Sequence, residues 1–355
     1  MNTMNTMNTS ALRADDTLLL HGAAASPYTR KMLALLRYRR IRYRFVHSSS
    51  GIPGLPLARP PLLPTFYLPD AEGALQPVTD STPLIRRFEA QFAGRSVIPV
   101  DPVLALVDAV LEDFGDEWLT KAMFHHRWSH ADDIRKAGRV LASWRGSVQD
   151  DAALADTAAQ FSQRQISRLR YVGSNPVTAP IIEAGYRRVL LALEAHFRSH
   201  RFLMGGRPGT SDFGLYGQLT QLVLFDPTPM GLAADIAPRV CGWVMRMEDL
   251  SGLEPVDADW LGGDRLPDTL LSLLHEVGRL YVPLLLANAR ALQAGQAELQ
   301  ATIDGQPWTQ QAFAYQGKCL AWLRRDHDAL SVDDRKRLAR LWGGSGCDAL
   351  FAEAA

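Results

Sequence analysis

The first hundred residues constrain the fold most, because their strand and helix signals follow one another in a definite order. "TLLLH" at 17–21 is a short apolar run typical of a buried strand, and apolar residues at helical spacing follow over 27–38. "IRYRFVH" at 41–47 then alternates apolar and basic residues, which indicates a second strand. After a loop rich in proline and glycine come two strands around the turn "PDAEG" and a helix, at 65–68, 74–78 and 80–92.

This order is that of a thioredoxin-like α/β domain, although periodicity alone would permit other folds. From about residue 103 to 250, apolar residues recur at spacings of three and four, which predicts an all-helical region. Its first helix is predicted to start near Leu104 and to continue through "DEWLTKAMFHHRW". We therefore divide the chain into a disordered tail at 1–16, a thioredoxin-like domain at 17–100, an all-α domain at 101–255 and a mainly helical extension at 256–355.

The extension has structure signals of its own. "PDTLLSLLHEVGRLYVPLLLANARALQ" predicts a long amphipathic helix, whose apolar residues need a surface to pack on. Glu276, Arg279 and Pro283 interrupt this apolar run, so we predict no membrane span. A small hairpin is predicted at Asp304–Gly305, and Ser331 is predicted to cap the last helix.

Composition excludes several classes of protein. Lys and Arg together number 38, as do Asp and Glu, so no overall charge favours a nucleic acid or an acidic membrane as a partner. The three cysteines, Cys241, Cys319 and Cys347, show no metal-binding spacing, and an odd, sparse count fits a reducing cytoplasm. The N-terminal "MNTMNTMNTS" has neither the basic residues nor the apolar core of a signal peptide.

Ser26 and Pro27 stand between the first predicted strand and the first predicted helix. Ser26 is a good N-cap, and Pro27 suits the first helical position because its missing N–H would have no partner there. A helix N-terminus beside the end of a strand is also a place that holds an anion. These residues by themselves leave both interpretations open.

Three short segments, in this order, resemble the N-terminal half of the glutathione S-transferase superfamily. They are "HGAAASPYTRKMLALL", "LLPTFYL" and "VTDSTPLIRRFE". The helical region, and within it "RFLMGGRPGTSDFGLYGQL", looks like the C-terminal half of that superfamily. The resemblance covers roughly residues 17–250, and the extension has no counterpart in the family pattern.

The resemblance implies a site for glutathione as co-substrate. Ser26 matches the Ser or Cys subtype of the family, in which this side chain lies beside the sulfur and favours the thiolate. Pro64 resembles the family's cis-proline, which lets the backbone of Leu63 pair with the cysteinyl part of glutathione. Asp80 and Ser81 match the pair that holds the γ-glutamyl end. Helix capping, or the end of a proline-rich loop, would explain each of these residues structurally.

The resemblance further implies a hydrophobic, electrophilic small molecule as second substrate. Tyr28, Trp118, Phe124 and His125 are candidates for its pocket, although core packing explains each of them more simply. The implied protein is a cytoplasmic, homodimeric transferase without a nucleic-acid or membrane partner. The family also contains lyases, isomerases and dehalogenases, and the alternative is a non-catalytic binding or regulatory protein of the same fold.

We predict no metal site from the sequence. His126 and His130 are four residues apart and share a helix face, a spacing that suits a metal ion. However, no Glu-x-x-His or His-Glu-x-x-His motif accompanies them, and a charged helix face accounts for the nearby acidic residues more simply.

One departure from the family pattern concerns a helix start. The family has Ser or Thr three residues before an Asp, whereas this chain has Gly209 before Asp212. Glycine lacks the capping hydroxyl and is a weaker N-cap. We therefore expect an effect on stability rather than on chemistry.

Overall fold

The computed structural model describes residues 17–47, 51–144 and 150–352. The predicted disordered tail at 1–16 lies outside the described residues. The chain divides into two compact units, one formed by the chain up to Val97 together with Met247–Glu254, the other by Ile98–Arg246 together with Pro255–Ala355.

The first unit contains a four-stranded sheet in the order β2-β1-β3-β4. The strands are β1 (Leu18–Gly22), β2 (Tyr43–His47), β3 (Thr65–Pro69) and β4 (Leu75–Val78), and the helices are α1 (Pro27–Arg39) and α2 (Ser81–Gln91). β1 pairs parallel with β2 and antiparallel with β3, which pairs antiparallel with β4. The predicted thioredoxin-like order is confirmed.

Both helices of this unit bury apolar faces. Met32 and Leu35 of α1 have no exposed surface, and neither does Leu20 of the central strand β1. Phe88 of α2 packs edge-on against Phe66 of β3, with ring centroids 5.3 Å apart. This packing holds the N-terminal ends of α1 and α2 in place beside the sheet.

The second unit is mainly helical. Its first eight helices are α3 (Pro102–Glu117), α4 (Leu119–Ser129), α5 (Ala131–Ser143), α6 (Asp151–Ile166), α7 (Ala179–His196), α8 (Thr210–Leu224), α9 (Pro227–Ile236) and α10 (Pro238–Met247).

The single helix predicted from Leu104 through 128 is wrong, because the helix is interrupted at Trp118, which separates α3 from α4. At this break the Lys121 N–H donates a hydrogen bond to the Trp118 carbonyl three residues earlier, which is a tighter turn than that of an α-helix. The indole of Trp118 is buried and packs on Trp308.

A carboxylate from a different helix caps the start of α8. Asp108 of α3 accepts the backbone N–H and the hydroxyl of Thr210, at 2.8 and 2.6 Å, and those of Ser211, at 3.1 and 2.5 Å. Asp212 accepts the Gly209 N–H at 2.9 Å. A Cβ at position 209 would lie 2.2 Å from Asp108 Oδ1, so only glycine leaves room for this carboxylate. Asp108 thus replaces the capping hydroxyl that the sequence lacks.

The extension packs within the second unit. It contains α11 (Asp268–Glu276), α12 (Val282–Gln293), β5 (Glu298–Ile303), β6 (Gln306–Gln311), α13 (Ala314–Asp328) and α14 (Val332–Leu341). Asp304 and Gly305 join β5 to β6 with φ of 50° and 75°, which confirms the predicted hairpin. Ser331 accepts the Asp334 N–H at 3.1 Å, which confirms the predicted cap.

A wide helical turn at Val277–Tyr281 joins α11 to α12. Pro283 cannot donate to the preceding turn, and such a proline disturbs the regular helical bonding. The backbone of Gly278 lies against that of Ser345, and a Cβ at position 278 would be 1.8 Å from the Ser345 carbonyl oxygen. Among the described residues only Asp268–Gln293 is long and apolar enough to cross a membrane, yet 61% of its most apolar window is buried inside the protein.

Truncation tests whether the extension is part of the core. The predicted apolar face of α11 and α12 is buried throughout, and all five of its side chains are 0% exposed: Leu270, Leu274, Val277, Tyr281 and Leu284. Burying one such side chain stabilises a fold by about 1.5–3 kcal/mol. We therefore expect a chain of residues 1–258 to aggregate, measured by size-exclusion chromatography against the full chain. A soluble, monodisperse, glutathione-binding product would contradict this expectation.

Several acidic side chains of α3 lie in a low-polarity environment. Tyr281 donates its hydroxyl to Asp113 at 2.7 Å. Burial raises the pKa of Asp113 to about 7 against the effect of this hydrogen bond, and the charges of Asp116 and Glu112 raise it further. Burial, with the charges of Asp113 and Asp116, raises the pKa of Glu117 to about 8. Both acids therefore keep their protons to a higher pH than exposed carboxyl groups do.

The raised pKa of Asp113 predicts a pH-dependent stability. A folded-state pKa of about 7, above the ordinary 3.8, stabilises the fold at low pH, and this stabilisation is lost as the pH rises through 7. Asp113→Asn still accepts from Tyr281 but does not ionise. The melting temperature of the variant minus that of the native chain should therefore be larger at pH 8 than at pH 6. The exposed Asp156→Asn on α6 is the control, and equal pH dependence in all three proteins would contradict the assignment.

Candidate functional site

Ser26 caps the start of α1. Its backbone is extended, with φ −82° and ψ 121°, and its hydroxyl oxygen accepts the Thr29 N–H at 3.3 Å. The first turn of α1 carries no acidic residue, so no side-chain charge there offsets the positive end of the helix dipole. The structural interpretation of Ser26 as an N-cap is confirmed, and the electrostatics for holding an anion are also present.

The chain ahead of β3 brings a second predicted residue to Ser26. The Leu63–Pro64 peptide bond is cis, as predicted. The Ser26 hydroxyl lies 3.5 Å from the Leu63 carbonyl oxygen, although 37 residues separate the two in sequence. Arg59–Pro60 is cis as well, which the sequence did not predict. The structure therefore places a hydroxyl, a helix N-terminus and the backbone before a cis-proline side by side.

Asp80 and Ser81 form the start of α2. Asp80 has φ 83°, a left-handed conformation that costs a non-glycine residue energy and is concentrated at functional sites. Although Asp80 stands at the N-cap position, its side chain makes no capping hydrogen bond within the described residues. Ser81 is the first helical residue and is 7% exposed.

Lys31 lies beside the candidate site and was not predicted from the sequence. It is fully buried on α1, and its ammonium donates to the Ser81 hydroxyl at 3.2 Å. A buried lysine is uncommon, and its charge lies close to the N-terminus of α2. The available signal was its spacing, because Lys31 occupies the same helix face as the buried Ala34, Leu35 and Tyr38.

A small apolar cavity adjoins Leu63 in the first unit. Its volume is about 180 Å³, and it is lined by His21, Tyr67 and residues of the proline-rich loop, including Leu57 and Pro61. Binding pockets for whole small molecules usually measure about 300–1,000 Å³. This cavity is therefore large enough for only part of a ligand.

The four predicted pocket residues have different environments. Tyr28 is half-buried on α1, two residues after Ser26. Trp118 has no exposed surface and packs on Trp308 at 5.5 Å, as expected of a core residue. Phe124 is half-buried beside Trp128, with ring centroids 6.4 Å apart. His125 is 2% exposed and is hydrogen-bonded within the second unit.

Comparisons with solved structures find remote likenesses. A β-etherase from Sphingobium is 18% identical, with a TM-score of 0.46, and the match covers 65% of this chain and 95% of the β-etherase chain. A glutathione S-transferase from Methylobacterium radiotolerans, in complex with glutathione sulfonate, is 17% identical with a TM-score of 0.40, covering 66% and 91%. A Tau class glutathione S-transferase from mango is 18% identical with a TM-score of 0.38, covering 65% and 88%. These likenesses are too remote to identify an activity.

A family comparison identifies the N-terminal domain. No curated protein matches the chain. The family described as "Glutathione S-transferase, N-terminal domain" matches residues 20–96, which run from within β1 through α2, and the extension is not matched by it. Residues 20–96 therefore match the family of glutathione S-transferase N-terminal domains.

Proposed function

We propose that the protein binds glutathione in its N-terminal domain and activates the thiol for attack on a hydrophobic, electrophilic small molecule. The observation that supports this most is the position of the Ser26 hydroxyl, at the N-terminus of α1 and 3.5 Å from the carbonyl of the cis Leu63–Pro64 bond. The family match to residues 20–96 makes glutathione the expected ligand of such a site.

The Ser26 hydroxyl is arranged to donate to a thiolate. Its oxygen already accepts the Thr29 N–H, which polarises the O–H bond. Its hydrogen faces the Leu63 carbonyl at 3.5 Å, a distance at which an O–H···O bond is weak. A glutathione sulfur can take this hydrogen with little loss. The donated hydrogen bond and the helix dipole both stabilise the charged form and lower the pKa of the thiol.

The α2 end of the site is suited to the γ-glutamyl group. This group carries one ammonium and one carboxylate. Asp80 supplies a carboxylate for the ammonium, while Ser81, the N–H groups at the start of α2 and the buried Lys31 favour the carboxylate. The backbone of Leu63 completes the site by pairing with the cysteinyl part.

Tyr28 is the predicted pocket residue whose position best supports contact with the electrophile, because it follows Ser26 on α1 and is half-buried. The full burial of Trp118 favours a core role for that residue. We retain homodimerisation and a cytoplasmic location as parts of this proposal that rest on the family resemblance. A non-catalytic, glutathione-binding protein is the alternative that a turnover assay separates.

Replacing Ser26 tests thiol activation. Ser26→Ala removes one charge-stabilising donor, so turnover with a generic aryl halide should fall by about ten- to a thousandfold. The pKa of bound glutathione should rise, measured by the absorbance of the thiolate across pH, while glutathione affinity changes much less.

A second capping serine provides the control. Ser331→Ala removes an equivalent cap from α14, which costs about 0.5–2 kcal/mol of stability, and should leave turnover unchanged. If Ser26→Ala leaves the pH–rate profile unchanged, Ser26 is only a cap. If the native chain binds glutathione but turns over no electrophile, the non-catalytic alternative holds.

Three variants test recognition of the γ-glutamyl end. Asp80→Ala, Ser81→Ala and Lys31→Met each remove a polar or charged contact, which should weaken glutathione binding by about 1.5–3 kcal/mol, or about 10- to 150-fold. Isothermal titration calorimetry measures the affinity, and circular dichroism checks the fold. Lys336→Met, on the exposed face of α14, is the matched control for Lys31. Native affinity in all three variants would refute the assigned site.

A further inference from the structure

Two histidines and one glutamate converge at the end of α4. His125 lies on the last turns of α4, His130 follows its last residue, and Glu183 comes from α7. The Nε2 atoms of His125 and His130 lie 3.1 and 3.6 Å from the same oxygen, Glu183 Oε1. We propose that His125, His130 and Glu183 bind a divalent transition-metal ion of the zinc type.

The distances suit a common metal centre. Zinc binds histidine nitrogen at about 2.0–2.1 Å and carboxylate oxygen at about 2.0–2.2 Å, so neighbouring ligands in a tetrahedral site lie about 3.3 Å apart. The two nitrogen–oxygen distances, 3.1 and 3.6 Å, are close to this value. One ligand atom from each residue lies within 4.8 Å of the other two. Small rotations of the half-buried Glu183 and His130 side chains would complete the geometry.

His125 is oriented by hydrogen bonds on its far side. Its Nδ1 lies 2.8 Å from the Ser174 hydroxyl and 3.2 Å from the Ser129 hydroxyl. The ring is 2% exposed and its Nε2 faces Glu183. Ligating histidines commonly have their other nitrogen held by such a partner, which directs the free lone pair at the metal.

Ordinary hydrogen bonding leaves polar atoms of this cluster unsatisfied. Within the described residues His130 Nε2 and both nitrogens of His126 are buried without a hydrogen-bond partner. His126 is 3% exposed, and its ring stacks on that of His130 at 5.4 Å. The two ring nitrogens of His125 have hydrogen-bond partners, Glu183 on one side and two serines on the other. A cation bound between the ligand atoms would also give the His130 nitrogen a partner.

The site is open on one side. The side chains of Glu183 and His130 are 45% and 32% exposed, so an ion can enter from solvent. Three protein ligands leave a fourth position for water or another ligand, as in catalytic zinc sites. His125 is also a candidate for the electrophile pocket, but glutathione binding is assigned to none of these three residues, so glutathione binding and metal binding can fail separately.

Metal titration tests the proposal on the untagged full chain. The protein is stripped with a chelator, kept free of glutathione and other thiols, and titrated with Zn(II) by calorimetry and with Co(II) by visible absorption. We expect one ion per chain and Co(II) bands of a four- or five-coordinate site. Glu183→Gln and His130→Ala change exposed ligands and should weaken binding more than about 100-fold, because losing a mere outer-shell partner already costs about 10–100-fold.

A matched control and a stability readout make the outcomes decisive. His275→Ala, an exposed histidine of α11, should bind both ions as the native chain does. Zn(II) should raise the melting temperature of the native chain and of this control but not that of Glu183→Gln. No stoichiometric binding by the native chain, or native affinity in Glu183→Gln and His130→Ala, would overturn the proposal.

Discussion

The cap that Asp108 places on α8 is the interaction on which the second unit most depends. α8 is buried along almost its whole length, so the unpaired N–H groups at its start have no access to water. Asp108 satisfies those of Thr210 and Ser211 and both of their hydroxyls from a buried position on α3. Burial raises its pKa to about 6, against the effect of these hydrogen bonds. The cap therefore joins α3 to the start of α8. α3 also carries the buried acids, and α13 and α14 of the extension pack against it.

The candidate glutathione site depends on two contacts between distant segments, Ser26 with Leu63 and Lys31 of α1 with Ser81 at the start of α2. α1 begins directly after β1 and α2 directly after β4, and the loop before β3 brings Leu63 to Ser26. Each helix start contributes polar N–H groups and a hydroxyl. The two proposed sites are thus built differently. The glutathione site uses helix N-termini of the first unit, whereas the metal site uses side chains from α4, its end and α7 in the second unit.

Local signals made much of the first unit predictable. Strand alternation and turn residues each report on a few neighbouring residues, so the order of elements could be predicted from the sequence. Ser26, Pro64, Asp80 and Ser81 were named as candidate site residues through the resemblance of their segments to the glutathione S-transferase superfamily, and their roles stay predictions. Lys31 could not, because a lysine in an amphipathic helix is ordinarily exposed, whereas here it is buried and donates to Ser81 of α2. The break at Trp118 escaped for a similar reason, since the indole is buried by the distant hairpin residue Trp308.

The sequence by itself determined the thioredoxin-like order, the Asp304–Gly305 hairpin, the Ser331 cap and the apolar face of the extension, because each depends on residues close together in the chain. Only the tertiary structure decided which distant groups meet. Gly209 has the sequence of a weak cap, yet Asp108, 101 positions earlier, supplies the missing acceptor. His125, His130 and Glu183 share no motif in the sequence, and only the packing of α4 beside α7 brings Glu183 to the two histidines. The physical reason is that burial, pKa and ligand geometry arise from contacts across helices, which no local pattern of residues encodes.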